Sequence, residues 1–193
     1  MAGLREQWRR TAMRTIQERA LDLFDERGFG AVTIEEIAAA AEVSASSVYR
    51  YFGTKEGLLV ADELDTMSPA GLADLVDPAD PVTSLVEAVR RYEAPQEPAG
   101  EGPWRRVRYF FTEPSVRSAA LAAMDRAARR IAPHLTDGPA GLDAAQARVA
   151  AQALAFGYFA ALETWYDDGG ARPIAGYVED GLRPLRAVWG RGD

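Results

Sequence analysis

Between Ser44 and Lys55 the chain runs Ser-Ala-Ser-Ser-Val-Tyr-Arg-Tyr-Phe-Gly-Thr-Lys, which sets hydroxyl, phenol, guanidinium and ammonium donors close together. At helical spacing Val48 and Phe52 anchor one side, and Ala45, Ser46, Ser47, Tyr49 and Arg50 are presented on the remainder. Small residues at the front of such a helix let it approach base edges closely, and the larger donors behind them can reach bases or phosphates. The chemistry on offer is DNA readout. A Tyr-Arg-Tyr-Phe run alone would equally suit the amphipathic end of a buried helix, so the elements around it decide.

Those elements are a preceding helix and a tight turn. Thr33 and Glu36 have the spacing of a capping box, in which each side chain satisfies an orphan amide of the first turn. Ile34, Ile37, Ala38 and Ala41 then recur on one apolar face. Glu42 and Val43 form the turn, and Ser44 caps the second helix. Upstream, Met13, Ile16, Ala20, Leu23 and Phe24 stripe a helix expected from about Arg10 to Arg27 and stopped by Gly28. Downstream, Thr54 caps a fourth helix expected to continue through Leu58, Leu59 and Leu64.

The run V-S-x-x-x-V-Y-R-Y-F-x-x-K-E-x-L, preceded by R-x-x-I-x-x-x-A-x-x-L-F-x-x-x-G-F from Arg14 to Phe29, resembles the N-terminal domain of the TetR family of transcriptional repressors. The resemblance covers roughly residues 11–60. It implies that Thr33 and Lys55, each at a helix start, clamp phosphates, where free amides and the helix dipole already favour an anion. It further implies that Tyr49 and Tyr51 contact phosphates or base methyls. It implies too that Arg50 is the candidate for direct readout, able to bond a guanine through O6 and N7, and that Ser44, Ala45, Ser46 and Ser47 complete the DNA-facing edge. Glu42 departs from the pattern, because the family commonly has glycine there.

Composition narrows the remaining possibilities. Zero cysteines exclude disulfides and thiol chemistry, and a single histidine leaves no His/Cys metal cluster, so no metal or other cofactor is expected. His134 follows Pro133, and no GxSxG, glycine-rich phosphate loop or HExxH appears, so no catalytic residue is assigned and an enzyme is not expected. The first residues lack a signal peptide's apolar core. The longest charge-free run, Val149 to Leu162, falls short of the roughly 20 residues a membrane span needs, so the expectation is a cytoplasmic protein without a membrane partner. The net charge of −7 looks wrong for a DNA binder, but residues 61–100 alone carry 9 acidic groups against 2 basic. Arg5, Arg9, Arg10 and Arg14 are opposed before position 18 only by Glu6, as an arm along phosphates or a solvated terminus would be.

No segment alternates at period two, so the chain reads as all-α, a helix-turn-helix domain over residues 1–65 followed by a helical effector-binding and dimerisation domain over 66–193. Ser68 to Pro81 reads as a connection, Ala94 to Gly102 as a loop, and Pro173 to Trp189 as the last helix. From Arg148 to Glu163 only Gln152 interrupts an apolar run, which predicts a buried helix that pairs with the last one across a two-fold axis. Ala153, Gly157, Ala160, Ala161, Leu182 and Leu185 are the expected homodimer contacts. Trp104, Phe110, Phe111, Met124, Phe156 and Phe159 are candidates to line an effector site. The arginines from Arg105 to Arg130 would suit an amphipathic anion such as an acyl-coenzyme A thioester, or else pair with acidic segments. Together these expectations describe a repressor that binds a palindromic operator as a homodimer and is released by a small lipophilic effector. The alternative is a helical ligand-binding or adaptor protein without DNA function.

Overall fold

The computed structural model describes residues 2–61, 67–92 and 101–189, and the regular elements among them are all helical. In order they are α1 (Ala2–Arg27), α2 (Ile34–Ala40), α3 (Ala45–Phe52), α4 (Gly57–Val60), α5 (Pro69–Leu75), α6 (Pro81–Tyr92), α7 (Glu101–Thr112), α8 (Pro114–Ile131), α9 (Ala144–Asp167), α10 (Ile174–Leu182) and α11 (Arg186–Trp189). The chain divides into two compact units, one of Met1–Ala61 with Arg108–Ala119 and one of Asp62–Val107 with Ala120–Asp193. No helix among the described residues is long and apolar enough to cross a membrane.

In the first unit, α1 supplies Ile16, Ala20 and Phe24 to a core shared with Ile37 of α2, Val48 of α3 and Leu58 of α4, all essentially excluded from solvent. Helix α1 starts at Ala2, well before the expected Arg10. Two side chains from later in the chain join this unit. The Tyr109 ring meets Phe24 edge-on at 5.9 Å and Phe29 at 6.3 Å, and its hydroxyl donates to Asp25 Oδ1 at 2.9 Å. Arg108 also pairs with Asp25.

The turn between α2 and α3 takes the form that glycine usually serves. The amide of Val43 donates to Ala38 O at 2.9 Å and that of Glu42 to Ala39 O at 3.2 Å, so the last carbonyls of α2 are satisfied as in a Schellman motif. That pattern puts Glu42 at a left-handed φ of 55°, and among the described residues no other side-chain-bearing position adopts a positive φ. The turn expected from the sequence therefore forms with glutamate in it, at a steric cost.

In the second unit, α9 is the central helix and packs on α10, which in turn packs on α6. Asp143 and Gln146 close a capping box at its start, with Asp143 Oδ1 accepting from the amides of Ala145 at 2.8 Å and Gln146 at 2.9 Å. The α9–α10 contact is close because small residues line it. A Cβ added to Gly157 would lie 2.5 Å from Leu182 Cδ2, and one added to Gly181 would lie 3.6 Å from Ala161 Cβ. Ala161 and Leu182, expected at a subunit interface, are accordingly buried inside the chain and are no surface for a partner.

Three further expectations need revision. The stretch read as a connection holds α5, started by Ser68 Oγ accepting from the Gly71 amide at 3.1 Å with Pro69 in the first helical position. The last helix is interrupted at Arg183–Leu185 by a 3-10 turn, because Pro184 lacks an amide and its ring clashes with the preceding turn. The fourth helix, expected from Thr54 through Leu64, starts at Gly57 and ends at Val60, because Ala61 turns extended (φ −69°, ψ 132°) and caps it, while Leu64 itself and most of the loop from Ala94 lie outside the described residues.

Relieving the left-handed glutamate gives the first prediction. Glu42→Gly should stabilise the chain by roughly 0.5–1 kcal/mol, since glycine adopts this φ freely while losing more entropy on folding. Chemical denaturation of the two proteins measures the difference, and a destabilised variant would contradict the strain.

Candidate nucleic-acid interface

Helix α3 is held at its start by Ser44, whose Oγ accepts the Ser47 amide at 3.2 Å and lies 2.9 Å from both the Ser46 and Ser47 hydroxyls. Val48 and Phe52 are buried on its inner side. Ser46, Tyr49 and Arg50 are exposed on its outer side, Tyr49 at 47%, while Ala45 and Ser47 are half-buried at the front. The Arg50 guanidinium lies 5.0 Å over the Tyr51 ring, with Nη2 at 3.4 Å from both Ser47 Oγ and Tyr51 Oη. Tyr51 is half-buried, its ring edge-on to Phe52 at 6.3 Å. The helix thus presents a guanidinium braced by a ring, a phenol and two hydroxyls, a donor set suited to base edges and phosphates.

The two expected phosphate clamps are placed differently. Thr33 is exposed at the start of α2, but its hydroxyl accepts the Glu36 amide at 3.3 Å and donates to Glu36 Oε2 at 2.9 Å, and its own amide donates to the same oxygen at 2.8 Å. The hydroxyl is therefore occupied by the capping box. Arg27 adds an ion pair to Glu36 Oε1 at 2.8 Å. The Thr33 amide, then Arg27 and the Thr33 hydroxyl, hold the Glu36 carboxyl down from its ordinary 4.5 to about 2. Lys55 is half-buried and turned inward. Its ammonium donates to Phe29 O at 2.8 Å and Val32 O at 3.0 Å and sits 4.4 Å over the Phe29 ring.

Two further residues shape this unit. Gln17 Nε2 donates to Leu58 O and Ala61 O, both at 2.9 Å, so α1 satisfies carbonyls at the end of α4. Its signal was a lone amide beside the apolar stripe of α1. At Gly57 a Cβ would lie 1.9 Å from Phe52 O, so only glycine lets α4 start this close behind α3. Its place at the first residue of a helix, where glycine is a poor helix former, was the readable sign.

The expected effector-site residues separate. Trp104 stacks on Tyr166 at 5.2 Å and meets Trp165 edge-on at 5.3 Å in the second unit, where Met124 is half-buried and Phe159 buried. Phe110 and Phe111 belong to the first unit, 6.5 Å apart, with Arg117 over the Phe111 ring at 5.5 Å. Phe156 is 38% exposed on the side of α9 opposite its buried face and lines no interior, which corrects its assignment. Much of the basic 105–130 segment is engaged locally, Arg108 with Asp25, Arg129 with Asp125 at 2.8 Å and Arg130 with Met67 O. Among the described residues no group of His, Cys, Asp and Glu gathers that could hold a metal ion.

Comparison with known proteins places this geometry. The family model for bacterial regulatory proteins of the tetR family matches residues 16–61, and the MftR C-terminal domain model matches residues 79–190. Over 83 residues the chain is 40% identical to the HTH-type transcriptional regulatory protein RaaS of Mycobacterium tuberculosis, a stretch that is 40% of this chain. The chain thereby spans 37% of that relative's length. Among solved structures, Thermus thermophilus FadR, a TetR family transcriptional repressor in complex with lauroyl-CoA, is 26% identical, with 90% of this chain and 92% of that one covered at a TM-score of 0.51. NalD, the secondary repressor of the MexAB-OprM multidrug efflux pump in Pseudomonas aeruginosa, is 20% identical and shares the fold over 95% of this chain and 99% of its own, at a TM-score of 0.56.

The capping box carries a pH signature. A carboxyl whose folded pKa is depressed contributes stability above its unfolded value, here near 4.5, and that contribution fades as the pH falls toward about 2. Wild type should melt higher than Glu36→Gln near neutral pH, and the gap should close between those two values. Thermal melts of both proteins across that range would refute the assignment if the gap stayed constant.

Proposed function

The chain belongs to the TetR family and is a transcriptional regulator with a helix-turn-helix DNA-binding domain, and from that premise we propose that it represses transcription as a homodimer on a palindromic operator and is released by a small lipophilic effector. One observation carries the DNA half: α3 anchors Val48 and Phe52 inward and leaves Ser46, Tyr49 and Arg50 exposed on its outer side. A single reading helix of this size buries too little surface for selective binding, so two copies on half-sites about 34 Å apart are required. Repression is supported by the same role in Thermus thermophilus FadR. A cytoplasmic site of action is part of the proposal.

The dimer is supported by α9. Val149, Ala153, Phe156 and Ala160 recur at i, i+4, i+7 and i+11, and Val149 is 67% exposed and Phe156 38% exposed. An apolar stripe of that regularity on a helix whose opposite face is buried suits the same stripe of a second copy around a two-fold axis. Half-buried Leu185 is kept as a flanking contact, whereas Gly157, which packs against Leu182 of the same chain, is withdrawn together with Ala161 and Leu182.

For the effector, the second unit holds Trp104 in ring contact with Trp165 and Tyr166, and also half-buried Met124 and buried Phe159, apolar side chains of the kind an acyl chain needs. The lauroyl-CoA bound by Thermus thermophilus FadR supports an acyl-type ligand. Release requires the effector to favour a dimer in which the two α3 helices no longer match successive major grooves. Shifting occupancy from 99:1 to 1:99 takes about 5.5 kcal/mol of discrimination between the two states.

Arg50→Ala should cost about 1–3 kcal/mol of preference at one guanine position while leaving the melting temperature unchanged. Titrations against the operator and base-substituted duplexes measure this, and an unchanged preference would remove Arg50 from readout. Phe156→Arg should convert dimer to monomer in sedimentation equilibrium with helical content retained. A variant that stays dimeric would exclude this face of α9 as the interface.

A further inference from the structure

The chain holds 22 basic residues, and Lys55 is its sole lysine. Its surroundings account for that choice. The ammonium fills the gap between the carbonyls of Phe29 and Val32, 2.8 and 3.0 Å away, with the Phe29 ring 4.4 Å off. These carbonyls bracket the 3-10 turn Phe29–Ala31, which leaves the end of α1 and delivers the chain to Thr33. A compact ammonium with three donors fits two divergent carbonyls and a ring face, whereas a planar guanidinium directs its donors in a fork suited to a carboxylate or phosphate. Phe29 is itself buried among Phe24 and Tyr109, so the turn is clamped from both sides.

We propose that Lys55 is a positioning residue for DNA recognition: it ties the segment after α3 to the turn before α2, and so sets where the two short helices of the reading element begin, instead of clamping a phosphate itself. The inference rests on the DNA-binding reading above. Two of its three ammonium donors are already spent on backbone carbonyls in the free protein. Moving the side chain out to a phosphate would leave both carbonyls, in a half-buried place, without this donor. The same side chain would then lose its aromatic contact.

The test uses the full chain and a palindromic duplex it binds. A phosphate contact contributes about 0.9 to the slope of log K against log salt, and a positioning residue contributes none. Lys55→Met should weaken binding to all duplexes by about tenfold, lower the melting temperature by several degrees and leave the slope unchanged. Lys55→Arg keeps the charge and should fail to restore either property. Because wild type has one lysine, lysine-specific nitrogen labelling gives a single side-chain ammonium signal by NMR. That signal should be protected from solvent exchange in the free protein and nearly unmoved on adding duplex. A slope reduced by about one, full affinity in Lys55→Arg, or an ammonium that becomes protected only with DNA would each overturn the proposal. A wild-type chain with no affinity for any duplex would instead overturn the functional reading beneath it.

Discussion

The reading element depends on the satisfaction of helix ends. Helices α2, α3 and α4 have 7, 8 and 4 residues, and segments that short do not persist in water on their own hydrogen bonds. With most of their backbone groups belonging to a first or last turn, the unpaired amides and carbonyls dominate. Side chains meet several of them: Thr33 and Glu36 at the start of α2, Ser44 at the start of α3, Thr54 on the Gly57 amide, and Gln17 on the carbonyls of Leu58 and Ala61. Burial of Ile37, Val48 and Leu58 against α1 then has fixed helices to act on.

This division explains what could be read from sequence. Caps are local, so Thr33 with Glu36 and the Ser44 cap follow from residues three apart and form in the structure as read. The braces are distant. Gln17 reaches across 41 and 44 residues, Lys55 across 26 and 23, and Tyr109 across 84 to Asp25. Spacing along a chain carries no sign of which carbonyl a side chain will find. Lys55 shows the consequence, since its place at a helix start suggested an anion while the fold supplied two carbonyls. Helix α5 is a different kind of miss, because Ser68 and Pro69 announced a start that the surrounding Pro, Gly and Asp obscured.

The acidic balance of the chain sits comfortably with DNA recognition once its charges are located. Arg14 pairs with Glu18, Arg19 with Asp22 and Arg27 with Glu36 in the first unit, each within ion-pair distance. Such pairs on a helix surface contribute little stability, but they cancel much of the local field. Arg50 is treated otherwise: its neighbours are a ring, a phenol and a hydroxyl, which orient the guanidinium without neutralising it. A cation kept in place by uncharged groups loses less entropy on meeting an acceptor, so a few placed cations can substitute for bulk positive charge.

Helix α9 shows how one composition serves two purposes. Gly157 and Ala161 suggested close approach by a second subunit, and close approach is what they provide, but to α10 of the same chain, where Leu182 occupies the space a side chain at 157 would need. The buried run of Ala147, Ala150, Ala151, Leu154, Ala155 and Leu162 is therefore committed to the monomer. The opposite side of the helix carries Val149 and Phe156, which are larger and more exposed. Gly157 and Ala161 mark the contact the chain makes with itself, while Val149 and Phe156 leave apolar surface exposed on the other side of the helix.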